Sequence, residues 1–161
     1  NFHSAIEKVV MPFVKKLIKK RKEELGLQIL KPWDLSVDPL NRSPLKPFSD
    51  ADELEEKCHN IFNAVDSDLG NHFKIMRDEK LLDLANRKGK APGGYCTEYY
   101  HRRVPFIFMN AVGTHSDVQT MLHEGGHAFH VFESNQLPYS AQRDVGMEFA
   151  EVASMSMELL S

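Results

Sequence analysis

Five stretches of the chain place apolar residues at helical spacing, and one short region between them does not. In residues Phe2 to Leu25, Ile6, Val9, Val10, Phe13, Leu17 and Ile18 form one stripe. Pro12 interrupts it, so the helix is expected either to kink there or to restart with the proline in its first turn. Gly26 is a suitable stop. A second stripe runs through Leu54, Cys58, Ile61, Phe62 and Val65, behind a cap at Ser49 or Asp50. A third opens at Ser67-Asp68 and passes Leu69, Phe73, Met76, Leu81, Leu82 and Leu84, which predicts a helix ending near Arg87. A fourth uses Val118, Met121, Leu122, Ala128, Phe129 and Phe132, with Ser116 or Asp117 as its cap and a loop at 110–114 before it. The fifth covers Gly146 to Leu160. By contrast, Tyr95 to Tyr100 and Val104 to Met109 are aromatic-rich and alternate or run apolar, which predicts a hairpin across His101-Arg102-Arg103. The fold class read from this is mainly α, with a small β-hairpin or sheet before the fourth helix.

Between these elements the punctuation is clear. Pro32, Pro39, Pro44 and Pro47 make 31–48 an extended connector. Trp33 is expected to anchor it by burying its ring. Lys88 to Gly94 reads as a loop. The chain therefore divides into a helix at 1–30, a connector at 31–48 and a core at 49–161, within one region.

Composition narrows the function classes. The chain has 161 residues, is 42% hydrophobic and 27% charged, and carries a net charge of −3. That balance and the lack of basic-aromatic interleaving argue against nucleic acid. The run of Lys15, Lys16, Lys19, Lys20, Arg21 and Lys22 meets Glu23 and Glu24 at once and reads as the solvated face of a helix. No apolar run is long enough to cross a bilayer and no signal-peptide pattern opens the chain, so no membrane partner is expected. Cys58 and Cys96 do not make a disulfide framework, and free thiols suit a reducing, cytoplasmic setting.

The chemistry lies in the fourth helix, at His123-Glu124-Gly125-Gly126-His127. Residues four apart on a helix stack on one face, so both imidazoles reach one metal ion. Glu124 follows the first of them, close enough to act on a water as general base. This is the H-E-x-x-H pattern of zinc peptidases. Two glycines inside a helix cost roughly 1 kcal/mol each, a cost that close approach by a neighbouring element or a substrate would explain. A catalytic zinc takes three protein ligands. His130, Glu133, Glu148, Glu151 and Glu158 are the candidates for the third. The metzincin plan, a Gly at 130 and a His at 133, is poorly met by His130 and Glu133. The fifth helix is the better source, because Glu148, Glu151 and Glu158 fall on one face at spacings of three and seven, and carboxylates on an apolar helix need a cation opposite them.

His123-Glu124-Gly125-Gly126-His127-Ala128-Phe129-His130, followed by Phe149-Ala150-Glu151-Val152-Ala153-Ser154, resembles the oligoendopeptidase F and thimet oligopeptidase family of zinc metallopeptidases. That family carries H-E-x-G-H-x-x-H and then E-x-x-S on the next helix. The stretches 90–96, with Gly93, Gly94 and Tyr95, 105–110, 113–114 and 32–35 are also similar to family segments. The resemblance implies a helical zincin-like core, one zinc ion held by His123, His127 and Glu151, Glu124 as the base, and oligopeptide substrates. Family members are several hundred residues long with a deep channel between two halves. This chain is therefore expected to be a catalytic-core fragment, missing N- and C-terminal parts and the tyrosines and histidine that hold substrate.

Several lesser roles follow. Metal-bound histidines usually donate their other ring N–H to an acceptor, and Glu148 or Glu158 are candidates for it. His130 is a substrate or packing residue. One strand of the small sheet is expected to offer its edge to a peptide main chain, with Gly93 and Gly94 giving room. The expected function is zinc metalloendopeptidase. The alternatives are a fragment that binds zinc without turnover, and a zinc exopeptidase of the same plan.

Overall fold

Pro12 decides how the first helix runs. Proline has no N–H for the carbonyl one turn back, and its ring crowds that turn. In the computed structural model, which describes residues 1–161, the chain forms α1 (Phe2–Ala5), widens into a π-helical turn over Ile6–Val10 and resumes as α2 (Met11–Glu24) with the proline in its first turn. The widened turn takes up the missing bond without ending the helix. Gly26, at φ +64°, closes α2, and the Leu27 N–H donates back to the Lys22 carbonyl at 3.1 Å. A 3₁₀ turn follows at Pro32–Asp34. Trp33 is not the buried anchor expected, for it is 71% exposed. Its turn is closed instead by the Lys31 N–H donating to Asp34 Oδ2 at 2.8 Å, which asks nothing of the indole. Asn1–Pro44 is one compact unit, and Leu45–Ser161 is another.

The second unit holds the remaining elements. Asp50 caps α3 (Ala51–Val65) by accepting the Glu53 N–H at 2.9 Å, and Asp66 caps α4 (Ser67–Asp78) through the Asp68 N–H at 2.7 Å. Helix α4 ends well before Arg87. Lys80 takes up a left-handed φ of +55°, its N–H reaches the Arg77 carbonyl at 3.1 Å, and the Leu81 N–H reaches the Met76 carbonyl at 2.8 Å. That pair of bonds is a Schellman stop with lysine where glycine is usual. Leu82 and Leu84 then belong to a strand, β1 (Leu82–Ala85), not to the helix expected there.

Strands β2 (Tyr95–Tyr99) and β3 (Val104–Ala111) form the expected hairpin, and β1 adds a third strand to it. The order is β1-β3-β2, with β1 parallel and β2 antiparallel to the central β3. Ile107 pairs with Leu82 on one side and Cys96 on the other. The 110–114 loop is shorter than expected, because β3 runs on to Ala111.

After it comes α5 (His115–Ser134), capped by Thr114 and not by Ser116 or Asp117. Thr114 Oγ1 accepts the Asp117 N–H at 3.3 Å while Asp117 Oδ2 accepts the Thr114 N–H at 2.8 Å, a reciprocal box. A short turn, α6 (Ser140–Arg143), leads to α7 (Met147–Leu160). Leu54, Phe62, Phe73, Met76, Ile107 and Met121 are fully buried and join α3, α4, β3 and α5 in one core. The fold is mainly α with a small three-stranded sheet, and no helix is long and apolar enough to cross a membrane.

Candidate metal centre

The two glycines of the motif set the position of α5. A Cβ on Gly125 would lie 2.5 Å from Phe62 Cζ, and a Cβ on Gly126 would lie 2.6 Å from the Ala153 carbonyl oxygen and from Ser154 Cα. Gly125 thus lets α5 sit down on α3. Gly126 lets the backbone of α7 come into direct contact with α5, which no other residue would allow.

That contact brings the fifth stripe to the fourth. The rings of His123 and His127 are 4.9 Å apart at 84° to one another. Glu151 faces both, with Oε2 3.3 Å from His123 Nε2 and Oε1 3.7 Å from His127 Nε2. The three ligand atoms lie within 4.8 Å of one another. Two imidazole nitrogens and a carboxylate oxygen at that spacing suit a zinc ion, whose catalytic sites favour such a set with a further position open. The side chains around them fix their orientation. His123 Nδ1 donates to Glu158 Oε1 at 2.6 Å, which leaves Nε2 with the lone pair. Ser154, fully buried, donates to Glu151 Oε2 at 3.0 Å. Burial lowers the pKa of His127 and so favours the neutral ring that a metal requires; the nearby Glu151 and a hydrogen bond to the Ala150 carbonyl pull the other way.

Glu124 is 8% exposed. Burial raises its pKa, opposed by His123 and by a hydrogen bond from the Cys96 N–H. The ladder explains that bond. The Ile107 N–H donates to the Leu81 carbonyl, so Ile107 turns its main chain towards β1. Its partner Cys96 therefore turns its own N–H and C=O away from β3, onto the free edge of β2. An open cavity of about 260 Å³ lies here, lined by Gln119, Thr120, His123, Glu124 and Glu158.

The other residues singled out in the sequence fall elsewhere. Glu148 is exposed and makes none of these contacts, since it sits on the first turn of α7, before the helix reaches α5. Glu133 accepts from His72 Nε2 at 2.9 Å, and His72 stacks on Phe132. His130 is half-buried and outside the set of three. Gly94 borders Thr120, where a Cβ would stand 3.3 Å from the threonine Cγ2, and Tyr95 stacks on Phe108 at 5.1 Å. Two contributions escaped the sequence reading. Ser154 was visible in principle as the last residue of E-x-x-S, one turn after Glu151. The Cys96 N–H has no side-chain signature at all.

The model of peptidase family M3 matches residues 1–161. The chain belongs to peptidase family M3. Among its M3 relatives, oligoendopeptidase F, chromosomal, of Lactococcus lactis subsp. cremoris is 28% identical over 149 residues, which is 92% of this chain and 24% of that protein. Group B oligopeptidase PepB of Streptococcus agalactiae is 29% identical over 152 residues, again 92% of this chain and 24% of the relative. A structure of PZ peptidase A with inhibitor 2 superposes with a TM-score of 0.88 at 35% identity, covering 98% of this chain and 28% of that one. A crystal structure assigned to oligoendopeptidase F of Bacillus anthracis gives 0.86 at 33% identity, covering 97% and 28%. The chain thus spans about a quarter of the length of the M3 proteins it matches.

Proposed function

We propose that this M3 segment is the core of a zinc-dependent endopeptidase that hydrolyses oligopeptides. The reading is carried by the His123, His127 and Glu151 ligand atoms lying within 4.8 Å of one another beside the buried Glu124. His123, His127 and Glu151 would hold the ion, with Glu158 orienting His123 and Ser154 orienting Glu151. A zinc ion bound there supplies a Lewis acid that acidifies water and polarises a carbonyl. Glu124 is the general base: it takes a proton from the attacking water and hands it to the leaving amine. Its burial raises its proton affinity towards what that exchange needs, while the Cys96 N–H keeps it aimed. The free edge of β2 receives the substrate main chain through the Cys96 carbonyl and the main-chain groups of Glu98, which neither β3 nor Glu124 uses, so recognition rests on backbone more than on side chains. Both cysteines are free and the cytoplasm is the proposed location.

The test is a pair of substitutions in the full-length protein. Glu124→Gln retains zinc and loses hydrolysis of a quenched-fluorescent peptide by at least a hundredfold, a scale set by the loss of a general base. Glu151→Ala loses zinc, measured by atomic absorption, while Glu148→Ala keeps it. Near-normal turnover in the first variant removes Glu124 from the chemistry, and equal zinc loss in the other two leaves the third ligand open. End-blocked peptides that are still cleaved exclude an exopeptidase.

A further inference from the structure

Lys90 lies in the loop between β1 and β2, yet its side chain is only 1% exposed. A buried lysine is rare unless fully partnered. This one is, and its partners come from two strands. Its Nζ donates to the Asp83 and Ala85 carbonyls of β1, each at 2.9 Å, and to the Met109 carbonyl of β3 at 2.5 Å. Asp83 Oδ1 stands 3.0 Å away, and the ammonium lies 4.4 Å from the centre of the Phe108 ring. Five residues on, the chain enters β2, and there Tyr95 stacks on the same Phe108. Asn110, at the far end of β3, holds the stretch between: its Nδ2 donates to the Ala91 and Gly93 carbonyls, both at 2.9 Å. The loop turns at Gly89 and Gly93, whose left-handed φ values of +85° and +101° glycine adopts readily.

The arrangement does more than close a loop. Gly93 and Gly94 lead directly into the edge whose Cys96 N–H meets Glu124. A shift of one residue in this lead-in would turn every outward group of β2 inward. We propose that Lys90, with Asn110, is a positioning residue pair that holds the start of β2 in register to receive a peptide main chain beside Glu124. The inference rests on the strand-pairing reading of substrate binding given above. Neither side chain touches substrate; both act through the backbone of β2.

The experiment is a coupling measurement in the full-length protein. One peptide substrate is made in versions N-methylated at a single amide, and kcat/KM is read for each. In the unsubstituted enzyme, methylation of the amide that pairs with β2 lowers kcat/KM by roughly tenfold, the scale of one main-chain hydrogen bond. In Lys90→Met and in Asn110→Ala the same methyl group costs less than about twofold, and the KM of the unmethylated peptide rises. A role confined to overall stability would lower all versions by one factor and leave the tenfold ratio intact, and that result overturns the assignment. Asn110→Ala, which leaves the lysine in place, carries the test alone if Lys90→Met does not fold. No methylation penalty at any position in the unsubstituted enzyme overturns the strand-pairing reading and this inference together. A penalty that persists unchanged in the variants overturns this inference only.

Discussion

Glu158 sits seven residues beyond Glu151, two helical turns along the same face, and its carboxylate meets the one nitrogen of His123 that the ligand set does not use. Such partners fix the tautomer and strengthen the imidazole as a ligand. Glu158→Gln is therefore expected to weaken zinc binding by roughly 10- to 100-fold in the full-length protein, measured by competition with a chromophoric chelator. Unchanged affinity would reduce the 2.6 Å contact to a surface pairing. At this scale the sequence was informative about which side chains come together. That His123 and His127 share one face follows from helical spacing, and the Glu148, Glu151 and Glu158 stripe was readable too, with the family resemblance alone singling out Glu151. The stripe could not say which carboxylate faces α5, because that depends on where α7 crosses. Gly126 sets the crossing, and it puts Glu148 beyond reach.

The elements were legible where their ends carry ordinary signals. Asp50 and Gly26 behave as a cap and a stop should. The end of α4 was hidden because Lys80 occupies a left-handed position that sequence reading assigns to glycine or asparagine, so Leu81, Leu82 and Leu84 looked like further helix. Lys80→Gly removes that strain and is expected to stabilise the chain by about 0.5–1 kcal/mol in urea unfolding. A loss of stability instead would mean that the lysine stem contributes more than its backbone costs. Strand β1 offers a pH test. Asp83 has its pKa held down at about 2, first by a hydrogen bond from Arg87 and further by Lys90, against burial. A carboxyl depressed in the folded state stabilises fully above its ordinary pKa near 3.8, and that contribution fades as pH falls towards about 2. The stability gap between the unsubstituted protein and Asp83→Asn should thus be constant above about pH 5 and shrink below pH 4. A gap that does not change down to pH 2 would show that the ion pair contributes nothing.

Over the whole molecule, the apolar face of α7 is conspicuous. Phe149 is 74% exposed, Leu159 is 85% exposed, and Val152 lies between them at 54%. Patches of this kind associate in water. The 161-residue chain in isolation should self-associate with rising concentration in sedimentation velocity, and Phe149→Glu with Leu159→Glu should return it towards monomer. Monodispersity of the unsubstituted chain would contradict this. The sequence offered no warning, since an apolar helix reads the same whether its faces are covered or bare. The bare seam at Gly126 also limits motion. Two helices that touch backbone to backbone have no side-chain cushion to roll on, so α7 cannot rotate or slide against α5 without a collision at Ala153. Any opening that admits a peptide must carry both helices as one rigid body, and the hinge for it must lie outside their contact.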